Sequence, residues 1–187
     1  MLDSRAQPGY SKRANQREGS PVATKRVTLE PMAEDEFVAY LQWAIPDYAQ
    51  DNVRNSSWSE SEALQKSEEQ FRELLPQGLY TPDQYHFTIR DPDLNSNVGM
   101  LWFNLVRDTP GKSAFLYQFW IDEAFRRQGY GMAALRELDE KVKGMGGSSV
   151  RLHVFGHNAP ARALYEKAGY AVTNVVMAKP VNRGEES

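Results

Sequence analysis

Apolar residues along this chain change their period several times, and each change marks an element. Residues 1–24 show no period at all. Gly, Ser, Pro, Gln and charged residues dominate there, so the stretch reads as a flexible extension. Folded structure is expected from a short strand at residues 27–30. Phe37, Tyr40, Leu41, Ala44 and Tyr48 then recur at helical spacing, behind an acidic first turn of Glu34, Asp35 and Glu36. Pro46 inside that pattern is expected to kink or interrupt the helix. Ser59, with Glu62 three residues on, reads as a capping box opening a second helix that ends near Leu75, before Pro76-Gln77-Gly78.

Three strands follow, at about residues 85–90, 98–106 and 114–121. Turn-forming segments separate them (91–97 and Asp108-Thr109-Pro110-Gly111), which predicts an antiparallel meander. The third of these strands is apolar on nearly both faces, as a centrally placed strand should be. Met132, Leu135, Leu138, Val142 and Met145 then mark one side of a helix closed by Gly144, Gly146 and Gly147. Val150, Leu152 and Val154 alternate as a strand. A further helix starts at Asn158 and stops at Gly169, and residues 170–179 supply a last strand or pair of strands. The fold class expected is α+β, layered α/β/α: a mixed, mostly antiparallel central sheet flanked by about four helices. One domain is expected over residues 25–183.

Composition adds exclusions. The 187 residues include 41% hydrophobic and 25% charged positions and no cysteine, which rules out disulfides and thiol chemistry and fits a cytoplasmic location. No apolar run approaches the roughly 18 residues of a membrane span, so no membrane partner is expected. His86, His153 and His157 lack metal-ligand spacing, so no metal is expected. The net charge of −3 conceals an asymmetry: residues 1–26 carry +4, and residues 34–75 carry −7.

The informative stretch runs from Phe119 to Ala133. An apolar strand enters a turn holding Gly129 and Gly131, and an amphipathic helix starts at once. Free backbone N–H groups at such a turn, beside a positive helix end, form an anion site; an ordinary strand-to-helix turn would carry the same glycines. Arg126-x-x-Gly129-x-Gly131 resembles the [RQ]-x-x-G-x-[GA] signature of the GNAT superfamily of acyl-CoA-dependent N-acyltransferases. Asn158-Ala159-Pro160-Ala161-Arg162-Ala163-Leu164-Tyr165-Glu166-Lys167-Ala168-Gly169-Tyr170 resembles that family's second signature, N-x-x-A-x-x-L-Y-x-K-x-G-[FY]. The resemblance covers residues 27–180 and is only architectural before about residue 98. A dinucleotide fold would need a third glycine at position 134, which is Ala.

The resemblance implies roles at the matched positions. Acetyl-CoA would be the acyl donor. Backbone groups of Phe119 and Ile121 would pair with its pantetheine arm, and amides of Arg127, Gln128, Gly129, Tyr130, Gly131 and Met132 would cradle its pyrophosphate. Arg126 would add charge at the phosphates, and Asn158 would hydrogen-bond the coenzyme where two strands part, although a plain helix cap looks identical in sequence. Tyr165 would protonate the leaving thiolate; as a bare pattern it also fits an aromatic packed beside Leu164.

A general base is less legible. Presenting a neutral alkylamine at pH 7 costs roughly 4–5 kcal/mol, and Phe115 stands near where some relatives carry a glutamate. Water, His86, Tyr117 or the acidic helices remain as candidates, while His153 reads as a packed or solvated histidine. The acceptor expected is a small-molecule or peptide amine, and a cationic one would suit the acidic first helices with Tyr40, Trp43, Tyr48 and Trp58. A homodimer is compatible with the pattern. Two other readings stay open: a silent acyl-CoA-binding or regulatory module, and a nucleic-acid-binding protein using the basic tail. The +4 tail lacks aromatic interleaving, so nucleic acid is not the expected partner.

Overall fold

Alternation along the longest strand organises the two faces of the sheet. In β3 (Ser96–Asp108), Met100 and Trp102 are buried on one side with Met32, Phe37, Tyr40, Ala44, Phe71 and Leu75. Leu101 and Phe103 are buried on the other, with Ile89, Leu116, Tyr130, Leu135 and Leu138. Two cores on opposite faces require covering layers on both, and the helices supply them. The computed structural model of the protein describes residues 25–108 and 111–179. The expected extension at 1–24, the turn tip at 109–110 and residues 180–183 lie outside the described residues.

The sheet has the order β1-β2-β3-β4-β5. Strands β1 (Thr28–Pro31), β2 (Gln84–Asp91), β3 and β4 (Gly111–Ile121) form the antiparallel meander, and β5 (Gly147–Leu152) joins β4 in parallel. Helices α1 (Glu34–Arg54) and α2 (Glu60–Leu74) cover one face; α3 (Tyr130–Gly144) covers the other, with α4 (Ala159–Lys167) packed at its margin. The layered α/β/α class read from the sequence is the fold observed.

Local details differ from the expectations. Pro46 lies inside α1 without interrupting it; the carbonyl of Ile45 just before it accepts from buried Ser67 Oγ of α2 at 2.7 Å. Ser59 precedes α2 as the N-cap residue, but the capping box does not close. Its hydroxyl donates to the Glu62 carboxylate at 2.8 Å rather than accepting from a helix N–H. At α1 it is Glu36 that reaches back, accepting from the Ala33 N–H at 3.0 Å as well as from Thr88 and Asn97 of the sheet.

Two strand expectations need correction. Val154 falls outside β5, which stops at Leu152. Residues 170–179 form no strand: a strand exists only by pairing, and no strand among the described residues pairs with this segment, which is exposed throughout 171–179.

One buried contact fixes α3 against the meander. Tyr130, 1% exposed, donates its hydroxyl to Asp91 Oδ2 at 2.5 Å, and Asp91 Oδ1 accepts from the backbone N–H groups of Asp93 and Leu94. The Tyr130 hydrogen bond, with those amides and nearby Lys25, holds the Asp91 carboxyl below the usual carboxylate range. A depressed carboxylate pKa gives stability that is present above the unfolded value of about 3.9 and lost as pH falls through the folded value. Tyr130→Phe is therefore expected to lower the melting temperature at pH 7 by about 3 °C or more. The gap from wild type should narrow as pH falls below the ordinary carboxylate range, as thermal melts across pH would record.

Candidate functional site

Parallel pairing of β4 with β5 runs from Lys112↔Gly147 to Leu116↔Leu152 and stops there. Strand β4 continues to Ile121 along β3, while residues 153–158 turn towards α4. The two strands therefore part, and β4 beyond Leu116 loses its neighbour on that side. At the same level β4 carries a bulge: Trp102 of β3 faces Gln118 and Phe103 faces Leu116, leaving Tyr117 between them unmatched.

A cavity of about 390 Å³ fills the parting. Phe115 to Phe119 of β4 line it on one strand, and His153, Val154 and Phe155 on the segment that leaves β5; Asn158, the cap of α4, and Ala161 and Tyr165 of α4 line it too. The rest of the lining comes from Asp47, Tyr48 and Asp51 of α1, from Gln70, Phe71 and Leu74 of α2, and from Trp102.

Beyond the parting, the chain makes a single 3-10 turn at Glu123–Phe125 and enters α3. Arg127 (φ 62°) and Gly129 (φ 95°) are both left-handed, and Gly129 is the residue from which α3 starts. Amides in the first turn of a helix have no intrahelical acceptor, so Tyr130, Gly131 and Met132 offer theirs outward. Gly131 matters for another reason: a Cβ there would stand 2.9 Å from Leu164 Cδ2, so its absence lets α4 pack against the start of α3.

The sequence-predicted residues divide accordingly. Phe119, Asn158 and Tyr165 line the cavity together. Residues 126–132 form the turn, a separate feature at the end of β4. Arg126 folds back: its Nε donates to the Ile121 carbonyl at 2.8 Å, and its guanidinium lies 4.3 Å from the Trp120 ring centre. The Gln128 side chain donates to the Ala124 carbonyl at 2.7 Å. Tyr130's side chain is committed to Asp91, so only its backbone remains for a ligand. Asn158 is also the cap of α4, its Oδ1 accepting from the Ala161 N–H at 3.2 Å.

Tyr165 is half-buried, its ring 6.3 Å from that of Phe119, and burial pushes its hydroxyl pKa up to about 12. It therefore carries its proton throughout the neutral range. Among the base candidates, His86 is walled off: buried between Phe37, Tyr40 and Trp102, it has no hydrogen-bond partner, and desolvation lowers its pKa to about 4. Tyr117 does line the cavity, stacked on Trp102 at 4.5 Å, with burial raising its pKa.

Asp47 was not singled out in the sequence. It lines the cavity, and burial first, then neighbouring Asp51, raises its pKa. Asp51 also lies 3.6 Å from His157 Nε2, bridging α1 to the segment that leaves β5. Spacing i, i+4 on α1 could have paired the two aspartates in advance, but nothing in the sequence chose them from ten acidic residues. Of the four aromatics noted on the first helices, Tyr48 alone reaches the cavity. Tyr40 is core, Trp43 packs on Trp120, and Trp58 packs on Tyr48. No group of residues among those described has the make-up of a metal site.

Comparison with known proteins agrees with this architecture. The model of the acetyltransferase (GNAT) family matches residues 33–170. Two uncharacterized N-acetyltransferases of Bacillus subtilis (strain 168) are similar. YdgE is 39% identical over 152 residues, covering 81% of this chain and 96% of the relative; YycN is 38% identical over 155 residues, covering 82% and 97%. The crystal structure of YycN superposes with a TM-score of 0.80 at 36% identity, over 84% of this chain and 99% of that one. The chain belongs to the GNAT acetyltransferase family.

The left-handed start of α3 gives a direct expectation. Gly129→Ala places a side chain at φ 95° and should cost about 1–2 kcal/mol of stability in denaturant unfolding. Gly144→Ala, where an added Cβ meets nothing within 4 Å and φ is ordinary, should cost nothing measurable.

Proposed function

We propose that this acetyltransferase transfers an acetyl group directly from acetyl-CoA to a primary amine on a cationic small molecule or peptide, with no covalent enzyme intermediate. The observation that carries the reading is the convergence of a neutral phenol, Tyr165, and a carboxylate pair, Asp47 and Asp51, on one cavity at the strand parting.

In this reading the unpaired side of β4 receives the donor. Backbone groups at Phe119 and Ile121 extend the sheet onto the pantetheine arm, and Arg126 gives up the Ile121 carbonyl if that oxygen is used. Amides from Arg127 to Met132 hold the pyrophosphate at the positive start of α3, and Asn158 contributes a polar contact beside the thioester. Asp47 and Asp51 attract the ammonium group of the acceptor. Asp47, whose pKa burial raises, takes the proton that frees the amine lone pair.

The nitrogen then attacks the thioester carbonyl. Backbone N–H groups along β4 stabilise the developing oxyanion. The C–N bond forms and the C–S bond breaks as Tyr165 gives its phenolic proton to the departing sulfur; the second proton on the nitrogen leaves through solvent and restores the Tyr165 phenol. Because burial holds that hydroxyl protonated, the donor is in the correct state at neutral pH.

Turnover of a panel of amines with acetyl-CoA, followed by release of free thiol, tests the reading. Cationic amines should be preferred, and Asp47→Asn should lower their kcat/KM by about tenfold or more, since it removes a charge-assisted contact and the proton acceptor together, with neutral acceptors less affected. Equal or better turnover of neutral or anionic acceptors would count against the acidic pair. Tyr165→Phe keeps the ring and removes the proton. It should lower kcat by about tenfold or more with acetyl-CoA affinity nearly intact, since general-acid help acts in the transition state. A wild-type kcat, with chemistry shown to limit the rate, would remove Tyr165 from the mechanism.

A further inference from the structure

His157 sits where the chain, having left β5, turns into α4. The turn is tight: the Asn158 N–H donates to the Phe155 carbonyl at 2.9 Å, and the Ala159 N–H to the His157 carbonyl at 3.0 Å. The imidazole lies nearly parallel to the ring of Phe155, with centres 5.4 Å apart and planes 12° from each other. Phe155 itself lines the cavity. Stacking on it orients the imidazole, and Nε2 stands 3.6 Å from Asp51 Oδ1 of α1. A protonated His157 therefore sets a cation on one of the two carboxylates that the cavity offers.

Asp51 is contested from its own helix as well. Its Oδ1 accepts from Arg54 Nη1 at 3.2 Å. Asp47 stands one turn back on α1, where the charge on Asp51 adds to burial in raising its pKa. On the other elements, His153 meets the Phe155 ring edge-on with centres 5.1 Å apart, and Arg162 of α4 is engaged by Glu166 at 3.6 Å. Of the cations in this set, the histidines alone change charge near neutral pH. The His157–Asp51 pair is also open to water, with side-chain exposures of 38% and 25%. An ion pair so hydrated is weak. A displaceable counter-ion has to be.

We propose that His157 is a specificity-determining residue: protonated, it occupies Asp51 and competes with the ammonium group of the acceptor, and deprotonated, it leaves that carboxylate to the acceptor. The proposal rests on the reading that Asp47 and Asp51 receive a cationic amine. It adds that the site carries its own surrogate cation, so the preference for cationic acceptors strengthens as pH rises through the histidine range. A neutral acceptor makes no claim on Asp51 and is indifferent to the state of His157. Arg54 stays charged throughout, so it moderates Asp51 equally at every pH and produces no such dependence.

Steady-state kinetics on the full-length chain test this, with acetyl-CoA saturating, 1,5-diaminopentane as the cationic acceptor and aniline as the uncharged one. His157→Phe keeps a ring on Phe155 and removes the charge. The readout is KM in wild type divided by KM in the variant, in which pH effects common to both proteins cancel. For 1,5-diaminopentane the ratio should be about two to five at about pH 5.5 and should approach unity at about pH 8; for aniline it should stay near unity. In an Asp51→Asn background the ratio should lose its pH dependence, and His153→Gln should leave that dependence in place. A ratio constant with pH, or one that changes equally for aniline, overturns the role of His157 and leaves the cationic preference standing. So does a dependence that survives Asp51→Asn or disappears in His153→Gln. Failure of both proteins to use 1,5-diaminopentane at about pH 8 sinks the cationic reading, and this proposal with it. Should His157→Phe not fold, as circular dichroism would show, His157→Gln carries the same comparison.

Discussion

The parting of β4 from β5 after the Leu116↔Leu152 pair is the constraint from which the remaining features follow. A continuous parallel ladder would satisfy the backbone of β4 to its end and leave no room for a ligand. Ending the ladder early exposes strand backbone inside the protein, which is tolerable only where a ligand or water meets it. The bulge at Tyr117 contributes to the break by placing one unmatched residue in β4 at the level where its neighbour leaves. Asn158 contributes from the other side: by capping α4 it fixes where the chain turns after leaving the sheet. Cavity, phenol and carboxylates are arranged around that gap.

Holding the gap open requires the elements around it to be fixed tightly, and small residues do this at two points. A Cβ on Gly99 would stand 2.1 Å from the Trp120 carbonyl oxygen, so only glycine lets β3 run this close to the end of β4. Gly131 brings α4 against α3 through Leu164, which fixes the helix carrying Tyr165 relative to the turn whose amides point outward. The Tyr130–Asp91 contact anchors the same turn to the β2–β3 connection. The glycines of the motif thus serve packing as much as ligand access, and Tyr130, read as a motif position, turns out to be a buried anchor.

Much of this was legible in the sequence. The helices and the meander followed from period and turn chemistry, because each has a core on the face its apolar residues predict. Phe119, Asn158 and Tyr165 could be named because their motif fixes them relative to one turn and one helix. What could not be read depended on partners distant in the chain. Tyr40 and Tyr48 share a helical stripe, yet one is buried in the core and the other lines the cavity. His86 looked available for proton transfer until Phe37, Tyr40 and Trp102 closed around it. Residues 170–179 have every local mark of a strand, and a strand needs a neighbour that local pattern does not supply.

Charge illustrates the same limit. The ten acidic residues of 34–75 sum to a strong surplus, yet several of them are spent locally. Glu34 accepts from Tyr80, Glu36 from Thr88 and Asn97, Glu62 from Ser59 and Lys66, and Glu69 from Gln65. Solvent and salt screen the exposed ones further, so their sum says little about what the cavity binds. Asp47 and Asp51 differ in position, not in number. Partial removal from water disfavours the charge on Asp47, and a neighbouring carboxylate disfavours it again. A cation entering the cavity relieves both costs at once, which no exposed carboxylate can offer. The selectivity of an acidic surface therefore resides in the few carboxylates it has partly buried together.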